Sequence, residues 1–212
     1  MSMRFYGQWN PPVDKVLYER YFTGVVGGFF IEAGAFDGLI ESSCKFFEEY
    51  LGWRGINVEP TPWNFQLLTG NRPHSTNLQL ALSAIAGTAE FTQAVHPTRG
   101  QHFGNGSLAH TADHVSLLEK EGCTFERFPV QTIPYRELIA RHDVRQVDLM
   151  VLDVEGHEAD VIAGMRGCAV LPRVLCVEHG HHGVEGTTKM LEPLGYRYDM
   201  SSFNNSMYRL AA

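Results

Sequence analysis

Short apolar runs alternate with amphipathic stretches along most of this chain, and that alternation leaves few folds open. Residues 28–33 (GFFIEA) read as a buried strand ending in Gly34. Residues 40–51 look helical, with Cys44, Phe47 and Leu51 on one face. Residues 55–59 (GINVE) form a second strand, and Pro62 opens the helix after it. Residues 77–82 are a weaker third strand, residues 88–95 an extra one, and residues 127–133 are extended. Pro134 opens a helix through Arg141, and residues 147–152 (VDLMVL) give the clearest strand of all. A helix over 158–165, a fifth core strand over 174–178, a helix over 187–194 and extended runs near 196–198 and 207–210 complete the pattern.

Repeated strand–helix units of this kind imply an α/β fold, a parallel sheet with helices on both faces. Ligands in such sheets bind outside the carboxyl ends of the strands, near the point where strand order reverses. Function is therefore sought in the polar residues that follow each strand. No repeat or domain boundary stands out, so residues 1–212 read as one domain with an N-terminal extension over 1–27. The long stretch 96–114 reads as a loop and a candidate lid over the site.

The first strand is followed by Glu32-Ala33-Gly34-Ala35-Phe36-Asp37-Gly38. Gly34 and Gly38 allow a sharp turn and close approach of a ligand. A pyrophosphate wants bare amides and no nearby anion, whereas Glu32 and Asp37 bracket this loop, and its spacing is not G-x-G-x-x-G. Two acids suit a cationic ligand, such as the ammonium and sulfonium of S-adenosylmethionine. Glu32, Gly34, Ala35, Asp37 and Gly38 are thus candidate cofactor contacts. Glu59, closing the second strand, can accept both hydroxyls of a ribose. Ser83, after the third strand, is a candidate for the adenine edge, although serine is also common in plain turns.

The densest chemistry is Asp153-Val154-Glu155-Gly156-His157-Glu158. If extended geometry persists past the strand, Asp153 and Glu155 point into one cleft at period two. Unpaired buried charge is costly, so four ionisable groups here exceed what a helix cap requires. The fifth strand ends in Glu178-His179-Gly180-His181-His182. Adjacent strand ends would bring Glu178 and His179 to Asp153, a set able to hold Mg²⁺ or Mn²⁺. The alternative is that Glu178 binds backbone amides while the histidines stay in an exposed loop.

Composition excludes some partners. A formal net charge of −7 argues against nucleic acid, whose binding rests on Lys and Arg at phosphates. No run approaches the roughly 20 apolar residues that span a bilayer, and the N-terminus lacks the apolar core of a signal peptide. The four cysteines have no CxxC pairing. The chain is read as reduced, cytoplasmic and free of membranes. A homodimer through its aromatic tail is left open.

Together F-I-E-A-G-A-F-D-G, G-I-N-V-E-P, A-L-S-A-I-A-G and above all V-D-L-M-V-L-D-V-E-G-H-E resemble the FkbM family of S-adenosylmethionine-dependent methyltransferases, over residues 28–198. The resemblance implies a Rossmann-like class I fold with a mostly parallel seven-stranded sheet, and O-methylation of a hydroxyl on a sugar or other small molecule. It also implies that Glu32, Gly34 and Gly38 line the methionine moiety and that Glu59 takes the ribose. His157 departs from the family, which more often has a small residue there.

Methyl transfer is an in-line displacement, and a weakly nucleophilic alcohol needs a base, a metal, or both. Asp153, Glu155 and His157 are the candidate catalytic residues. In this reading Asp153, Glu178 and His179 hold a divalent ion, and His157 or Glu155 takes the proton. Three rivals remain: a nicotinamide dehydrogenase, opposed by the acidic first loop; a metal-dependent hydrolase using Asp153, Glu155, His157 and Glu178; and a non-catalytic binding module.

Overall fold

The alternation becomes two sheets in the computed structural model, which describes residues 3–180 and 182–211. His181, in the run after the fifth core strand, lies outside them. Helix α1 (Val13–Leu17) and a π-helical turn (Tyr18–Phe22) lead into β1 (Phe29–Ala33). Next come α2 (Lys45–Leu51), β2 (Arg54–Val58), α3 (Pro62–Asn71) and β3 (Thr76–Leu78). The middle of the chain holds β4 (Ala81–Leu82), β5 (Gly87–Val95), β6 (Gly106–Ser107), α4 (Ala112–Lys120) and β7 (Thr124–Ile133). After it follow α5 (Tyr135–Arg141), β8 (Leu149–Leu152), α6 (Glu158–Met165), β9 (Val174–Glu178), α7 (Gly183–Leu191), β10 (Tyr196–Ser202) and β11 (Asn205–Leu210).

The main sheet has seven strands in the order β10-β11-β9-β8-β1-β2-β3. Its pairings are parallel except those of β11, which runs against both β9 and β10. The order reverses between β1 and β8, so the predicted ligand crevice lies at their carboxyl ends. Along β1 the side chains alternate between the two faces. Ile31 and Ala33 join Met150, Leu152, Leu175 and Val177 beneath α5, α6 and α7. Phe30 joins Leu149, Val151 and Cys176 on the opposite face, covered by Val13, Leu17, Phe46, Phe47 and Trp53. Each such fully buried large side chain contributes roughly 1.5–3 kcal/mol.

Three local expectations are corrected. The helix foreseen from Ile40 begins only at Lys45, because residues 42–44 are drawn out to bind Glu32. The third strand is two: β3 pairs with β2, whereas β4 turns away to β7 in a separate four-stranded sheet. The long loop after β5 is partly built, because β6 pairs with β5 and α4 starts at Ala112. Cys44, Cys123, Cys168 and Cys176 are free thiols. Among the described residues no helix is long and apolar enough to cross a membrane.

Candidate functional site

A cavity of about 690 Å³ opens at the carboxyl ends of β1, β2, β8 and β9, within the roughly 300–1,000 Å³ typical of small-molecule sites. The predicted Glu32, Gly34, Ala35, Glu59, Asp153, Glu155, His157 and Glu178 all line it. Asp37, Gly38, Ser83 and His179 are not among its lining residues.

The first loop is built by long-range contacts rather than by its own composition. Gly34 has φ +84°, and a Cβ there would stand 1.7 Å from the carbonyl oxygen of Asp153. Gly38, at φ +74°, would place its Cβ against Leu68 and Arg72. Packing of the protein itself demands glycine at both positions. Glu32 is buried and already occupied. It accepts from the Ser42 hydroxyl, from Ser43 N–H at 2.8 Å and Cys44 N–H at 3.1 Å, and pairs with Arg72 Nη1 at 2.9 Å. Arg72, fully buried, also donates to Glu48 at 2.7 Å. Asp37 folds back to accept from Leu39 and Ile40 N–H, both at 2.8 Å. Both acids thus shape the loop, and their carboxylates are turned to the protein.

Glu59 closes β2 and joins the loop to α3. It accepts from Phe36 N–H at 3.0 Å, from Thr61 N–H at 2.9 Å and from the Thr61 hydroxyl. Burial, only partly offset by these bonds, pushes its carboxyl up to about 7. The carboxylate that lines the cavity beside β2 is therefore poised to ionise near neutrality.

On the other side of the crevice, β8 ends at Leu152, and the extended geometry expected onward does not persist. Glu155 has φ +53° and Gly156 φ +100°, so a tight turn, not strand alternation, brings Asp153 and Glu155 to one cavity. Glu158, fully buried at the start of α6, holds that turn by accepting from Val154 N–H at 3.2 Å and Gly156 N–H at 3.1 Å. This positioning role escaped the sequence reading, although an acid in the first turn of a helix was its signal. The Ser107 hydroxyl donates to the Val154 carbonyl at 3.3 Å, so the smaller sheet braces the same turn.

The carboxyl groups of Asp153 and Glu178 face each other across the ends of β8 and β9 and act directly on one another. Burial first, and the repulsion of neighbouring carboxylates second, lift both well above the carboxylate range. His157 Nε2 is hydrogen-bonded to Ser83 Oγ at 3.0 Å, and burial lowers its pKa. The residue read as an adenine contact and the one read as a catalytic base are thereby bonded to each other. His114 Nε2 stands 4.0 Å from Glu155 and 3.0 Å from Asn105 Oδ1, so the stretch over 96–114 supplies part of the wall.

The predicted metal set does not assemble. His179 Nδ1 is hydrogen-bonded to the Ser206 hydroxyl at 2.7 Å, and among the described residues no group of three His, Cys, Asp or Glu side chains is placed to hold an ion. Asp153 and Glu178 thus come together at neighbouring strand ends as expected, without His179 as a third ligand.

Against known proteins, a family model described as the methyltransferase FkbM domain matches residues 32–198. No curated protein matches the chain. The crystal structure of methyltransferase FkbM from Methylobacillus flagellatus KT is similar with a TM-score of 0.55 at 14% identity, over 90% of this chain and 46% of that one. The chain thus spans less than half the length of that protein. A ribosomal protein L11 methylase from Lactobacillus delbrueckii subsp. bulgaricus has a TM-score of 0.48 at 9% identity, covering 93% and 76% of the two chains. At such identities the first likeness reports the fold alone.

Proposed function

The chain belongs to the FkbM methyltransferase family, and from that premise we propose that it methylates a hydroxyl oxygen of a small acceptor, a sugar or glycoside, using S-adenosylmethionine. The observation that carries this reading is one cavity lined at its β2 end by Glu59 and at its β8 and β9 ends by the Asp153–Glu178 pair. The residues fit the cofactor. An acid-lined cavity suits a cation, and Glu32, Glu59, Asp153, Glu155 and Glu178 all line this one. When bound, S-adenosylmethionine supplies an electrophilic methyl group on a sulfonium.

This chain's residues do the rest. Glu59 accepts the ribose hydroxyls, while Gly34 and Ala35 border the methionine portion. Asp153 in its ionised form, with Glu178 keeping its own proton beside it, takes up the proton that the acceptor hydroxyl releases, and its raised proton affinity suits a base near neutral pH. Glu155 stands beside them as the alternative base. His157 is a positioning residue in this account, because its Nε2 is engaged by Ser83. Among the described residues no third ligand joins Asp153 and Glu178 in a cation site, so no step here rests on a divalent ion.

The test is methyl transfer to a panel of methyl glycosides, followed by mass spectrometry, with chelator and with added Mg²⁺. Asp153→Ala should abolish turnover while sparing cofactor affinity, and chelation should leave the wild type active. Near-normal turnover of Asp153→Ala would overturn the assignment.

A further inference from the structure

Resting on the methyltransferase reading above, we propose that Trp9, backed by Phe203, forms the acceptor wall of the cavity and selects uncharged, ring-shaped acceptors through their apolar ring faces. The sheet order carries the first part of the argument. Glu59 marks one end of the cavity at β2, whereas Glu178, Gly180 and Asn204 mark the other, beyond the switch point at β9 and β11. Trp9 lines the cavity too, and its stack on Phe203, next to Asn204, puts it at that far end. With a ribose at Glu59 and the methionine portion at β1, the far end is left for the second substrate.

The pair itself is built to face a ligand. The indole of Trp9 and the ring of Phe203 stack with centroids 5.0 Å apart and planes 12° from parallel. Yet Trp9 remains 40% exposed and Phe203 52%. Both take left-handed backbone conformations, φ 79° and 51°, which bulky side chains rarely adopt and which concentrate at binding sites. Large aromatic rings held open at a cavity mouth present a flat apolar surface with a polar edge, suited to the face of a hydroxylated ring.

The segment that carries Trp9 is fixed. Asp14, fully buried, accepts from Tyr6 N–H at 2.6 Å. Gly7 bridges to Glu41, Val13 N–H donates to the Gln8 carbonyl at 3.1 Å, and Phe5 stacks on Phe46 at 4.4 Å. Such preorganisation lowers the entropic cost of binding. Charge narrows the ligand class. Glu41, Asp153, Glu155 and Glu178 line the cavity, and Arg99 is the one Lys or Arg among its described lining residues. Anionic acceptors are therefore disfavoured. Trp9 and Phe203 also lie outside residues 32–198, so this wall is not part of what family membership describes.

The test is saturation-transfer NMR on protein loaded with S-adenosylhomocysteine, using the methyl pyranosides of glucose, galactose and mannose, with glucose 6-phosphate as the anionic probe. At least one neutral pyranoside should receive saturation on its ring protons. Trp9→Ala and Phe203→Ala should cut that signal at least fivefold, Trp9→Phe should retain most of it, and S-adenosylhomocysteine affinity should stay within twofold in all three. Unchanged saturation in Trp9→Ala, no pyranoside signal with wild type, or preference for the phosphate would overturn the wall while the cofactor site stands. A wild type that binds no S-adenosylhomocysteine would overturn both readings.

Discussion

A Cβ atom on Gly34 would stand 1.7 Å from the carbonyl oxygen of Asp153. The two chain ends that frame the crevice, β1 and β8, are thus in backbone contact where the reactive groups emerge. The Asp153 N–H donates to the Ala33 carbonyl at 3.0 Å and locks that contact.

Gly34→Ala must therefore part the strand ends as well as strain a left-handed backbone. The expected cost is about 3 kcal/mol of stability, with a marked loss of S-adenosylhomocysteine affinity. Urea denaturation and calorimetry check both. A variant of wild-type stability that binds normally would contradict the contact.

Arg72 is the sole cation of a buried network with Glu32 and Glu48 among the described residues. Arg72→Met leaves two buried carboxylates uncompensated, which costs about 3–5 kcal/mol. Urea denaturation of both proteins reads it out, and a variant of wild-type stability would contradict the network.

Glu158 acts on the turn rather than on a substrate. Glu158→Ala frees the Val154 and Gly156 N–H groups and should lower kcat on the order of 10²-fold, with S-adenosylhomocysteine affinity nearly unchanged. Glu158→Gln keeps an acceptor oxygen and should restore much of the loss. Equal damage from Ala and Gln would point instead to a charge effect.

Glu59 ties cofactor affinity to pH. Its folded carboxyl lies at about 7, above the ordinary 4.5. For the free protein the associated stability is fully present below the ordinary value and is lost as pH rises through about 7. Hydroxyl donors of a ribose favour the ionised form, so affinity should rise from pH 6 to pH 8, and Glu59→Gln should flatten that rise. Calorimetry across this range measures it.

The sheet was legible because its signals are local and periodic. Residues 174–178 and 158–165 announce β9 and α6 through an apolar run and an acidic first turn. The site was legible at the level of residue type, since acids and glycines crowd the strand ends. Their division of labour was not. The pairing of Glu32 with Arg72 spans 40 positions, and no spacing rule links the two. The closeness of Asp153 and Glu178 depends on neighbouring strand ends, and the turn that swings Glu155 inward breaks the alternation from which it was read. Trp9 and Phe203 meet from opposite ends of the chain, a juxtaposition that only the fold creates.

The central claim, a methyl-donor cofactor seated across β1 and β2, is tested most directly by calorimetric titration of the protein with S-adenosylhomocysteine, with NADH as the control. The account predicts micromolar binding of S-adenosylhomocysteine, lost in Glu59→Ala, and no heat from NADH. Binding of NADH in its place, or no binding of S-adenosylhomocysteine at any pH between 6 and 8, would contradict it.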